Sequence, residues 1–110
     1  MERVSDRAEL AELMSVATEH GWRVNRIFLA SVRTAAGFLE AWHAARPFSD
    51  MFGWNWDAFA DTAFEDPGSP ALIVLEGWES FADASPDDWH ILMEIIGERA
   101  PEAGFRVVLG

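Results

Sequence analysis

The chain has 110 residues, half of which are hydrophobic, and it contains no cysteine. This length predicts one domain with a modest core. No apolar run approaches the roughly 18 residues of a membrane span, and the N-terminus lacks the basic start and apolar stretch of a secretory signal. Without cysteine there are no disulfides and no thiolate chemistry, so these features together predict a cytoplasmic protein.

Charge is distributed unevenly along the chain. Nineteen acidic residues face eight basic ones, all of them arginine, and the net charge is −11. Residues 1–46 are neutral overall, so residues 47–110 carry the whole excess. Phosphate binding needs a basic surface, which argues against a nucleic-acid partner. The charge favours a basic protein partner, although acidity that serves only solubility would explain it too.

Helical and apolar stretches alternate along the chain. Capping residues and helix-ending residues bound four predicted helices: Ser5 to about His20, Thr34 to Pro47, Asn55 to about Phe64, and Ser85 to near Ala100. A short helical turn is predicted over residues 78–81 and a loop over residues 65–70. Apolar runs predict three strands: 24–30, 71–76 and 105–109.

This alternation predicts an α/β domain with a three-stranded parallel sheet, flanked by helices and joined by right-handed crossovers. The run Ala71 to Glu76 is apolar almost throughout, as in strands that are buried on both faces. We therefore expect Ile73 and Val74 on the central or most buried strand.

The densest group of acidic and aromatic residues follows Asn55, a good N-cap for the third helix. Asp57 and Asp61 are four residues apart, so both carboxylates lie on one face of that helix. The opposite face carries Trp56 and Phe59, which are expected to contact the core. The same pattern fits a solvated helix face, a pair of catalytic or metal-binding carboxylates, or a protein interface.

Chemistry at these carboxylates would need further groups that the sequence does not place there. None of the three histidines, His20, His43 and His90, is brought to the acids by its position, and no known catalytic motif is present. Trp54, in the irregular segment 48–54, either suits a protein interface or covers the sheet edge. No enzyme, cofactor or metal site is therefore predicted.

The order of motifs over residues 24–109 is more specific than any single pair of residues. Its parts are the stretch Phe52-Gly53-Trp54-Asn55-Trp56-Asp57-Ala58-Phe59-Ala60-Asp61, the strand Leu72-Ile73-Val74-Leu75 with Gly77-Trp78, an acidic helix reaching Glu98, and a last strand. This order resembles the barstar family, the intracellular inhibitors of barnase-like microbial ribonucleases. Residues 1–20 lie outside the pattern as an additional N-terminal helix.

The resemblance implies a monomeric inhibitor that blocks a basic, guanyl-preferring ribonuclease in a 1:1 complex. Its acids would replace an RNA phosphate, without a cofactor or metal. The implied partner-binding residues are Met51, Phe52, Gly53, Trp54, Asn55, Asp57, Ala60, Asp61 and Glu98. Two of them depart from the family pattern, since Met51 stands where an aromatic is usual and Ala60 where the best-studied member has tryptophan.

Within this surface we expect Asp61 to be the principal phosphate substitute and Asp57 the second, because Asp57 lies in the first turn and interacts with the helix dipole. Asp66, in the loop, is expected to lie outside the surface. Other functions stay open: an immunity protein against another basic toxin domain, a carboxylate-dependent metal hydrolase with a concave ion site, or a scaffold with an exposed apolar patch.

Overall fold

A computed structural model describes residues 1–65 and 70–110, so residues 66–69 of the predicted loop, including Asp66, lie outside the described residues. The described residues form four strands and five helices: β1 (Glu2–Arg3), α1 (Arg7–Glu19), β2 (Arg23–Phe28), α2 (Ala35–Ala45), α3 (Trp56–Thr62), β3 (Ala71–Glu76), α4 (Glu79–Ala84), α5 (Pro86–Arg99) and β4 (Phe105–Leu109). None of the described helices is long and apolar enough to cross a membrane.

The strands form one parallel sheet in the order β1-β4-β3-β2. Strand β3 is paired on both sides, with Ile73 opposite Asn25 of β2 and Val107 of β4. Ile73 and Val74 are both fully buried. The predicted α/β fold, its parallel sheet and the buried position of β3 are therefore confirmed.

The sheet has four strands where the sequence predicted three. The additional strand is β1, whose two residues pair with Val108 and Leu109 at the end of β4. The Glu2 carboxylate also accepts a hydrogen bond from the Arg106 guanidinium of β4. Two residues are too few to show the alternation of apolar and polar residues that identifies a strand in a sequence, so β1 could not be predicted.

Two helix starts differ from the prediction in their capping bonds. Helix α1 is capped by Asp6, whose carboxylate accepts from the Ala8 N–H at 2.8 Å, and not by Ser5. At α5 the Ser85 hydroxyl makes no capping bond, because it donates to the Arg33 carbonyl oxygen at 2.6 Å. The turn predicted over 78–81 is the six-residue helix α4. Two predicted caps are confirmed: Thr34 and Asn55.

Helices cover the sheet on both faces. Helices α2 to α5 pack on one face, where Phe38, Phe59 and Phe81 have no exposed surface. On the other face, Leu10 of α1 packs against three strand residues: Leu72, Val74 and Val108. Helix α1 and the acidic helix α3 therefore lie on opposite sides of the sheet.

Candidate functional site

Helix α3 turns its acids to solvent and its aromatic residues to the core. The side chains of Asp57 and Asp61 are exposed, whereas Phe59, between them in sequence, is fully buried. The Phe59 ring lies edge-on to Trp42 at 4.9 Å and to Phe38 at 5.6 Å between ring centroids. The two carboxylates thus stand on a helix that is fixed from beneath by large aromatic side chains.

Side-chain hydrogen bonds fix the start of α3. Asn55 Oδ1 accepts from the Ala58 N–H at 2.8 Å, and the Asn55 amide donates to the Gly53 carbonyl oxygen at 3.2 Å. The Trp56 indole N–H donates to the Asp88 carboxylate, at 3.0 Å, in the first turn of α5. Asp88 could not be identified from the sequence, because it lies far from Trp56 in the chain and the pair follows no local spacing.

The α2–α3 loop (residues 46–55) is anchored at its beginning by Arg46. The guanidinium donates to Asn25 Oδ1 at 2.9 Å and lies over the Phe105 ring, 5.0 Å from its centroid. Burial lowers the pKa of Arg46, and repulsion from Arg23 lowers it further. An arginine keeps its charge in proteins, so the loop begins at a fixed cation that is held against the sheet.

Four rings form what we call the aromatic cluster of the loop: His43, Phe48, Phe52 and Trp54. Phe48 and Phe52 are stacked nearly parallel, with 3.7 Å between centroids. Trp54 meets Phe52 at 5.2 Å and His43 at 5.4 Å. The Phe48 N–H donates to His43 Nδ1 at 2.9 Å. The loop is therefore irregular in its backbone but internally packed.

Trp54, the last residue of this cluster, has an unusual backbone conformation. Trp54 has φ of +51°, a left-handed conformation that costs a non-glycine residue about 1–2 kcal/mol. Its ring contacts His43, Phe48 and Phe52, while the residue remains 48% exposed. Met51, four positions after Pro47, is 91% exposed. The loop thus presents two large apolar side chains to solvent just before the acids of α3.

Most residues expected to contact a partner are accessible. The exposed ones are Met51, Gly53, Trp54, Asn55, Asp57, Asp61 and Glu98. Ala60 is half-buried. Phe52 is buried, since the residue is only 8% exposed and its ring lies against Phe48. Phe52 therefore supports the loop from inside and offers little surface to a partner.

A cleft beside Asp61 brings further charged residues into the site. It runs between α3 and the end of α5, and its lining includes Glu65, Arg99 and Glu102. Glu98, the acid that the family resemblance implies, does not line this cleft. Glu102 was missed because it follows the end of α5, beyond the helix that the family pattern includes.

The three histidines have partners other than Asp57 and Asp61. The His20 ring nitrogen Nδ1 bonds to the Val16 carbonyl oxygen at 2.8 Å, and His90 pairs with Glu94 at 3.0 Å. His43 belongs to the aromatic cluster. Over residues 1–65 and 70–110, no three His, Asp or Glu side chains lie close enough together to hold a metal ion.

Comparison with known proteins groups most of the chain with one family. No curated protein matches it. The family model described as barstar, the barnase inhibitor, matches residues 22–109. This range runs from the residue before β2 to the end of β4 and includes the α2–α3 loop and α3, but not β1 or α1. The chain therefore belongs to the barstar family.

Proposed function

We propose that this protein inhibits a basic microbial ribonuclease of the barnase-like, guanyl-preferring kind by inserting acids into its active site. The observation that carries the proposal is the exposed pair Asp57 and Asp61 on a helix fixed by Asn55 and Phe59, in a barstar-family chain. Family members are inhibitors rather than enzymes, so we assign no catalytic role to these acids.

The physical basis is substitution of a carboxylate for a phosphate. A ribonuclease collects arginine, lysine and histidine to bind an RNA phosphate and to stabilise charge in the transition state. A carboxylate can accept charge-assisted and often bidentate hydrogen bonds from the same cations. Because α3 is already ordered by its core contacts, little conformational entropy is lost when it binds.

The two departures from the family pattern bear on which ribonuclease fits. Met51 is flexible and almost fully exposed, so it can adapt its shape to a partner surface. The aromatic residue that is usual at this position would instead stack on that surface. Ala60 and Asp61 line the cleft between α3 and the end of α5, and a tryptophan in place of Ala60 would fill part of it. A cognate ribonuclease should therefore place more of its own side chains over α3 at this point.

The proposed setting of this inhibition is the cell that makes the ribonuclease. The protein acts in the cytoplasm as a monomer, in a 1:1 complex that protects the RNA of its own cell from a ribonuclease made for export. The same acids would also neutralise another basic toxin domain, which makes an immunity protein the second candidate, favoured by the same excess of acids over residues 47–110.

A capture experiment tests the proposed function. The purified protein is immobilised, proteins from the host culture are passed over it, and the retained fraction is assayed for guanyl-preferring RNA cleavage with and without added inhibitor. We expect a retained ribonuclease that the free protein inhibits at 1:1 stoichiometry. Retention of a toxin without ribonuclease activity would favour the immunity function.

The protein alone should neither cleave RNA nor respond to divalent ions, because the sequence places no catalytic motif and no histidine at its acids. Purified protein is incubated with RNA in Mg²⁺ and in EDTA, and the inhibition assay is repeated in both. RNA cleavage by the protein that EDTA abolishes would contradict the proposal and favour the metal hydrolase.

Association with the ribonuclease should be fast and sensitive to salt, because the acidic excess lies in the part of the chain that contains α3. Raising NaCl from about 50 mM to about 500 mM should slow association by roughly ten-fold or more and change dissociation much less. Stopped-flow fluorescence measures both rates. An association rate that does not change with salt would show that the acidity serves only solubility.

A further inference from the structure

His43 connects helix α2 to the loop that precedes the acids. It lies in the last turn of α2, and its Nδ1 accepts the Phe48 N–H at 2.9 Å. A backbone N–H only donates, so Nδ1 carries no hydrogen and the ring proton is on Nε2. The observed hydrogen bond therefore requires a neutral imidazole.

The same ring contacts both ends of the aromatic cluster. His43 stacks on Phe48, with 5.9 Å between centroids, and meets Trp54 edge-on at 5.4 Å. Phe48 in turn stacks on the buried Phe52. One side chain of α2 thus connects the first ring of the loop to its last ring, Trp54, whose left-handed backbone depends on surrounding contacts.

We propose that neutral His43 is a positioning residue for partner binding, holding the α2–α3 loop so that Met51 and Trp54 are presented beside α3. The inference rests on the proposed function, because that function includes the loop in the binding surface. Protonation places a hydrogen on Nδ1, which then faces the Phe48 N–H donor, and the bond is lost. The loop loosens, and binding weakens as pH falls below neutral.

Several ionisable residues lie on the elements around His43. They are Arg23 of β2, Glu40 of α2, Arg46 and Asp50 of the α2–α3 loop, and Asp57 and Asp61 of α3. Among the described residues, no carboxylate forms an ion pair with His43. The direction of the effect follows from the hydrogen bond itself, since only the protonated ring loses its acceptor.

Two variants separate the acceptor from the ring. His43→Asn places Oδ1 where Nδ1 stands and does not titrate, whereas His43→Leu fills similar volume without an acceptor. In the free protein, NMR hydrogen exchange gives the protection factor of the Phe48 amide. Between about pH 8 and 5.5 we expect it to fall about five-fold in the wild type, to stay constant in His43→Asn, and to be low throughout in His43→Leu.

The complex supplies the second measurement. Dissociation from the ribonuclease recovered by capture is followed at the same two pH values for the wild type and His43→Asn. On lowering the pH we expect dissociation to accelerate about five-fold more in the wild type than in His43→Asn. Titration of the ribonuclease affects both complexes equally, so it does not contribute to this difference.

Three outcomes decide the matter. A wild-type Phe48 amide whose protection does not change with pH would overturn the positioning role, and so would a His43→Asn complex with the wild-type pH dependence. Failure of both proteins to retain any ribonuclease, with the amide behaving as expected, would overturn the proposed function and the binding role together. The first outcome is measured on the free protein and the second on a complex that has formed, so neither requires a loss of inhibition. Failure of the positioning role is therefore distinguishable from failure of the proposed function.

Discussion

Asp61→Ala should weaken inhibition of the cognate ribonuclease by about 2–5 kcal/mol, since truncating one partner of a buried, hydrogen-bonded charge pair costs that much. Much of the loss arises because the cations of the ribonuclease remain buried without their counter-charge. Asp61 is exposed and stands one turn beyond Asp57, so its carboxylate is clear of the N–H groups capped by Asn55. Asp57→Ala should have the smaller effect.

The loss should appear mainly in the dissociation rate, measured by stopped-flow and inhibition kinetics, because steering depends on the whole acidic surface. Fold stability should barely change or rise slightly, since the substitution removes a like-charge repulsion between Asp57 and Asp61. Urea unfolding of the free variant checks this. A stability change would otherwise be confused with a change in binding.

A matched control removes the same charge elsewhere. Glu12 is exposed on α1, which packs on the opposite face of the sheet, so Glu12→Ala alters net charge equally and should cost under about 1 kcal/mol of binding. Asp66 would be the nearer control in sequence, but it lies outside the described residues. Full inhibition by Asp61→Ala, and equally by Asp57→Ala/Asp61→Ala, would end the phosphate-substitution hypothesis.

The parts of this fold that could be predicted are those encoded by local spacing. The apolar run of β3 identified the central strand, and Thr34 and Asn55 identified two helix starts, because caps act within three residues. The shared face of Asp57 and Asp61 follows from the helical period alone. The accessibility of both acids agrees with that period.

The parts that could not be predicted depend on residues distant in sequence. Strand β1 exists because two N-terminal residues reach the edge of β4. Ser85 fails to cap α5 because the Arg33 carbonyl oxygen is near. From the sequence, His43 had no assigned role and Phe52 was expected at the partner surface through the family resemblance. Only the folded loop shows that both pack against Phe48. Local patterns do not contain these pairings.

Phe59→Ala should destabilise the fold by about 3–5 kcal/mol, the usual cost of removing a fully buried phenylalanine. The Phe59 ring has no exposed surface, and besides Trp42 and Phe38 it contacts Trp56 at 5.7 Å and Phe64 at 6.1 Å between centroids. Truncation would leave a cavity surrounded by large rings that cannot collapse readily. Since a domain is stable by only about 5–15 kcal/mol, the midpoint of urea unfolding should drop markedly.

Phe28→Ala is the control for this substitution, because Phe28 is 63% exposed at the end of β2 and its loss should cost under about 1 kcal/mol. Inhibition kinetics separate the anchoring of α3 to the core from the direct contact of its acids with the ribonuclease. Phe59→Ala keeps both acids but frees the helix that carries them, so under conditions where the variant stays folded its ribonuclease complex should dissociate faster than the Phe28→Ala complex. If Phe59→Ala unfolds at the same urea midpoint as the wild type, the Phe59 ring does not anchor α3 and its acids to the core.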